Sequence, residues 1–170
     1  FPTMAEEGQA EALIQLALKS TDDRIAIGSP VTPAFIFAAL LWAPFVQLKK
    51  ALIEGDDHSR NDAAAVAADQ VFYQQQAVIS IPKRFSIPAR EIWLLQDRLE
   101  ARRGKKPFRL LTNKRFRAAY DFLLLRRDSG ENNSSLCDWW TAFQSLGSGT
   151  CRHQQQTVRS QAADQGFHRC

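Results

Sequence analysis

The chain has little of what staples a secreted domain or carries a protein through a membrane. It has three cysteines, Cys137, Cys151 and Cys170. An odd count at wide spacing makes no disulfide framework and suits a reducing compartment. No basic-then-apolar leader opens the sequence. The longest apolar-rich run, Val31–Val46, falls short of the roughly 20 residues of a membrane span and holds Pro33 and Pro44. These absences argue against a membrane partner and make the cytoplasm the expected location. The chain opens on Phe1-Pro2, with its one methionine at position 4, which reads as a piece of a longer protein.

Catalytic signatures are also missing. Neither G-x-x-x-x-G-K-[ST] nor G-x-G-x-x-G occurs, so no phosphate-cradling loop is expected. H-E-x-x-H and C-x-x-C are absent, and three histidines offer no evident nucleophile–base pair. The acid pairs Asp22-Asp23 and Asp56-Asp57 are adjacent, so their carboxylates diverge on any regular element, whereas a site needs convergent groups. In Cys151-Arg-His153 and His168-Arg-Cys170 one residue separates the candidate ligands, against about two to four within a zinc pair, and no metal role is assigned. The expectation is a non-catalytic chain without a cofactor of its own.

Acids are scarcest where bases are densest. Fourteen of the 22 Lys and Arg residues lie between Pro82 and Arg127, beside only Glu91, Asp97, Glu100 and Asp121. That segment carries +10, the first 81 residues −5 and the last 43 −1, so the net charge of +4 hides a steep internal field. The cluster is Lys83, Arg84, Arg90, Arg98, Arg102, Arg103, Lys105, Lys106, Arg109, Lys114, Arg115, Arg117, Arg126 and Arg127. A charge run is usually a solvated face. Here i,i+4 acids are too few to neutralise it, and Arg outnumbers Lys ten to four, which favours bidentate phosphate contact. The first twelve of these residues are the candidate nucleic-acid-binding set, with the loop Arg102-Arg103-Gly104-Lys105-Lys106 its sharpest point. Trp93 and Phe108 lie among them. Either could stack a base, but packing in a core is the commoner use of an aromatic ring.

The apolar load is that of a folded domain, with 45% hydrophobic residues, 11 Phe and 4 Trp. Its periodicity is helical. Glu6–Lys19 carries Ala12, Leu13, Leu16 and Ala17 on one face. Thr32 and Pro33 form a capped start for an apolar helix that Pro44 kinks or restarts, ending at Gly55. Ser59 caps a helix to about Val78, and Ile81-Pro82 stops it. Ser86 caps the next, to Arg103, with Ile92, Leu95 and Leu99 on one stripe. Pro107–Leu111 is a short helical turn. Thr112 or Asn113 starts a helix to about Arg127, with Phe116, Tyr120 and Leu123 on one face. A polar loop, Asp128–Ser134, precedes a last helix, Ser135–Ser145. No period-2 run reads as a strand. The fold class is all-α, a compact multi-helix domain of roughly six to eight helices over residues 1–146. A flexible Gln-rich tail follows over 147–170.

Four blocks, in this order and spacing, carry a resemblance. They are Val31-Thr-Pro-Ala-Phe-Ile-Phe-Ala-Ala-Leu-Leu-Trp42, Ile81-Pro-Lys-Arg84, Arg90-Glu-Ile-Trp93 and Lys114-Arg-Phe-Arg-Ala-Ala-Tyr-Asp-Phe-Leu123. Across about residues 10–145 the sequence resembles the bacterial poly(A) polymerases, relatives of the CCA-adding tRNA nucleotidyltransferases. The resemblance implies a helical body that holds the single-stranded 3′ end of an RNA. It also implies an N-terminal catalytic head, where ATP and Mg2+ would act, marked by a Gly-Ser motif followed by Asp-x-Asp; this chain has Gly28-Ser29 and Gly147-Ser148 but no Asp-x-Asp to pair with either. The chain departs from the family's Arg/Lys-rich C-terminal extension, since Gly147–Cys170 holds only Arg152, Arg159 and Arg169. Two alternatives stand beside this reading: a helical module that docks an acidic protein, and the body of a CCA-adding enzyme.

Overall fold

The computed structural model describes residues 7–55 and 59–145. Every regular element among them is a helix. In chain order these are α1 (Glu7–Ala26), α2 (Pro33–Leu40), α3 (Trp42–Glu54), α4 (Arg60–Gln76), α5 (Lys83–Leu99), α6 (Lys106–Leu111) and α7 (Phe116–Asp128). An eighth, α8, spans 134–145. The all-α expectation therefore holds. The chain divides into two compact units, residues 1–133 and 134–170. The expected tail, with Cys151, His153, His168 and Cys170, lies outside the described residues, as does the Asp56-Asp57 pair.

Pro44 explains the break between α2 and α3. Its ring removes one backbone donor and crowds the carbonyl four residues back, which belongs to Leu40. Helix α2 ends at that residue, Leu41 takes φ −102° and ψ 8°, and α3 leaves at a bend of 52°. No single described helix is long and apolar enough to cross a membrane. Ser59 caps α4 as expected, its hydroxyl accepting from the backbone N–H of Asp62. Thr32 occupies the N-cap of α2 but makes no side-chain cap bond there. Gly55 ends α3 in a right-handed conformation.

Three helices, α1, α5 and α7, depart most from the boundaries read in the sequence. Helix α1 continues past Lys19 to Ala26, carried through a polar stretch by packing on α2 and α7. Helix α5 starts at Lys83, so Ser86 lies inside its first turn, and Pro88 is tolerated within it. It stops at Leu99 and not at Arg103, because the chain turns through Gly104, whose φ is +67°. Helix α7 begins at Phe116. The preceding turn is held by the Asn113 Oδ1, which accepts from the backbone N–H of Arg115 at 2.8 Å.

Helix α5 organises the first unit. Ala89, Ile92, Trp93, Gln96 and Leu99 recur at helical spacing and are buried. Helices α2, α4 and α7 each pack on α5, and α3 packs on α4. Trp93 lies between the rings of Phe45 (4.7 Å) and Phe72 (5.0 Å), both stacked on it. Trp42 meets Phe122 edge-on at 5.2 Å. Burying each such ring contributes about 1.5–3 kcal/mol. In the second unit, Trp139 stacks on Phe143 at 4.8 Å, and Trp140 meets both rings edge-on.

Candidate functional site

The face of α5 opposite its buried stripe carries Arg90, Leu94, Asp97 and Arg98, spaced by about one helical turn. With Ala64 and Ala65 of α4, Ala101, and Lys106, Arg109, Leu110 and Asn113 of the α6 region, these residues line a depression of about 590 Å3. A second depression, about 270 Å3, shares Leu94, Arg98 and Asn113 with the first and adds Glu91, Leu95 and Lys114. A third, about 260 Å3, shares Lys114 and adds Arg24, Arg115 and Arg117. The three run on from one another by their shared rims, forming a cationic track from α6 across α5 to the start of α7.

Seven of the twelve predicted residues therefore line the track: Arg90, Arg98, Lys106, Arg109, Lys114, Arg115 and Arg117. Five do not. Arg102, Arg103 and Lys105 are exposed in the turn around Gly104. Lys83 and Arg84 occupy the first turn of α5, about 22 Å from Arg98 at 1.5 Å per residue. The Arg84 guanidinium lies 4.8 Å from the ring of Phe85.

Ion pairing divides the twelve again. Arg90 donates to both carboxylate oxygens of Asp69, at 2.6 and 3.1 Å. Arg115 pairs with Glu91 at 2.7 Å, and Arg117 with Asp121 at 3.0 Å. The expectation that i,i+4 acids are too few to neutralise the cluster is corrected only for Arg117, while Arg90 and Arg115 find acids 21 and 24 residues away. The other nine make no ion pair among the described residues.

The sparse acids of the basic segment are also occupied, in part by cations from the acidic first half. Lys49 holds Asp97 at 2.5 and 2.7 Å, Arg60 holds Glu100 at 3.0 Å, and Arg24 holds Asp121 at 2.6 Å. The exchange leaves Arg98, Lys106, Arg109 and Lys114 uncompensated along the track. Sequence reasoning missed Arg24 and Asn113. A base in the last turn of α1 was the available signal for the first.

Arg126, in the original cluster of fourteen, has a different task. Its guanidinium donates to Glu131 (2.6 Å to Oε2) and to Gln96 Oε1 (2.9 Å), and lies 4.5 Å from the ring of Trp42. Gln96, itself buried, donates to the carbonyls of Ile92 and Ala119. The network ties α3, α5 and α7 together. Trp93 is fully buried and cannot stack a base, whereas Phe108 is 60% exposed. Among the described residues no group of three or more His, Cys, Asp or Glu side chains could hold a metal ion.

The family model described as "Polymerase A arginine-rich C-terminus" matches residues 56–169. The chain is 38% identical over 152 residues to poly(A) polymerase I of Escherichia coli O6:H1, covering 85% of the chain and 33% of that protein. It is 37% identical over 153 residues to the Salmonella typhi poly(A) polymerase I, with the same two coverages. It is 34% identical over 143 residues to that of Haemophilus influenzae, covering 84% of the chain and 32% of the relative. The chain thus spans about a third of the length of these relatives. With more than half its residues matched, the chain belongs to the polymerase A arginine-rich C-terminus family, the C-terminal region of bacterial poly(A) polymerases.

Proposed function

We propose that this chain is the RNA-holding body of a poly(A) polymerase, gripping the strand behind a 3′ end that is extended with AMP from ATP elsewhere in the whole protein. The observation that carries this reading is the track of uncompensated cations, Arg98, Lys106, Arg109 and Lys114, along depressions that share rims. A flexible polyanion can follow such a track, and release of its counterions supplies most of the binding free energy. The exposed Arg102, Arg103 and Lys105, with Lys83 and Arg84, extend the positive field and steer encounter.

The relatives' name supports AMP addition over CCA addition. Among the described residues no group of three or more His, Cys, Asp or Glu side chains could hold a metal ion, and Asp97, Glu100 and Asp121 are each committed to an ion pair. ATP and Mg2+ would therefore be handled by residues of a catalytic head outside this chain, its natural partner.

The test is binding of a fluorescent oligo(A) dodecamer across a salt series. The log–log slope should approach about −0.7 per phosphate neutralised. Changing Arg102, Arg103, Lys105 and Lys106 together to Ala should flatten it. No shift at low salt, with binding to a polyglutamate probe instead, would replace this reading with a protein-docking one.

A further inference from the structure

The largest of the three depressions draws its lining from α4, α5 and the α6 region. Its floor is apolar and made of small residues: Ala64 and Ala65 from α4, with Ala101 just past α5. Leu94 and Leu110 complete the wall. Its volume, about 590 Å3, falls within the range of about 300–1,000 Å3 typical of small-molecule pockets.

Its rim is cationic and its internal charges are settled. Asp97 faces it but is held by Lys49, which reaches from α3 and lines the depression on the other side of that carboxylate. Arg90 is held by Asp69. Arg98, Lys106 and Arg109 remain, each exposed and without an ion pair among the described residues. One polar group also remains uncommitted. The Asn113 Oδ1 is fixed by the Arg115 N–H, which leaves the Nδ2 hydrogens available to an acceptor.

An apolar floor, a triad of cations and a single amide donor match one ligand chemistry, an aromatic heterocycle joined to phosphate. An acidic peptide would satisfy the cations and leave the floor unused. We propose that this depression seats one nucleotide of a single-stranded RNA. The base lies against Ala65, Leu94 and Ala101, and its 5′ or 3′ phosphate sits between Arg98, Lys106 and Arg109. The proposal rests on the reading of the chain as an RNA-holding body and deepens it, because a cationic track alone needs no base. Every nucleobase offers an edge acceptor to Asn113, so the seat distinguishes base from no base better than one base from another.

The experiment uses the 170-residue chain and two fluorescent dodecamers, oligo(A) and an abasic ribose-phosphate strand of equal charge. Ala65→Leu and Ala101→Leu fill the floor without touching charge. Each should weaken oligo(A) binding about tenfold, the loss of roughly 55 Å2 of apolar contact, and leave the abasic strand unchanged. Arg109→Gln should weaken both probes equally. Loss of both probes in the leucine variants, or of neither, overturns the seat, as does an Arg109→Gln effect confined to oligo(A).

A second measurement needs no variant. One 2-aminopurine placed within oligo(A) should brighten on binding, because a seated base leaves the stack that quenches it. Unchanged emission on full binding overturns the seat while leaving the RNA-holding reading intact. Failure of the unaltered chain to bind either strand overturns both.

Discussion

The indole N–H of Trp93 donates to the backbone carbonyl of Ala38 at 3.0 Å, joining residues 55 apart in the chain. The bond closes the polar account of a ring that Phe45 and Phe72 cover on its two faces. Helix α2 is thereby pinned to α5 at the centre of the first unit. The buried face of α5 is rigid where its opposite face must present Arg90, Leu94 and Arg98.

Trp93→Ala should destabilise the chain by about 3–5 kcal/mol, read from denaturant unfolding. Trp93→Phe should cost less, about 1–3 kcal/mol, chiefly for the Ala38 carbonyl left without its donor. At temperatures where Trp93→Phe stays folded, RNA affinity should match the unaltered chain. A specific loss of affinity would return Trp93 to the binding surface.

Arg126→Ala should destabilise by about 3 kcal/mol, because Glu131 would lose its cation in a partly dry site, and Gln96 and Trp42 would lose a partner. The salt slope of RNA binding should stay unchanged in the folded variant. A slope reduced by one phosphate equivalent would make Arg126 a phosphate contact.

Lys49→Met removes the cation that holds Asp97, whose side chain is only 12% exposed. The freed carboxylate faces the cationic depression. RNA affinity should fall although Lys49 lines none of the three depressions of the track, and stability should fall with it. Adding Asp97→Asn should restore most of both losses in a double-mutant cycle. Absence of coupling between the two changes would contradict the charge exchange described above.

Gly104→Ala probes the turn that ends α5. A Cβ there would meet nothing within 4 Å, so only the left-handed backbone, φ +67°, resists it. The expected cost is about 1–2 kcal/mol by thermal melting, and Gly104→Asn should be milder because Asn tolerates this region. Equal stability of all three chains would mean that the turn relaxes to negative φ.

Much of the fold was legible because helices announce themselves locally. The Ser59 cap, the Pro44 restart and the α5 stripe of Ile92, Leu95 and Leu99 each depend on residues within a turn or two of one another. Helix ends were less legible. Ser86 reads as a cap by residue type, yet α5 already begins at Lys83, because Pro82 supplies a compatible start and packing on α2 rewards the extra turn.

The sequence by itself determined that the chain is helical and that its cations concentrate between Pro82 and Arg127, since both properties are additive along the chain. Only the tertiary structure decided which of those cations stay uncompensated. Coulomb attraction selects partners by a few ångströms of distance, not by chain position. Asp69 therefore takes Arg90 from 21 residues away and Asp121 takes Arg24 from 97, while Arg98, Lys106 and Arg109 are left to face a depression that no single helix could form.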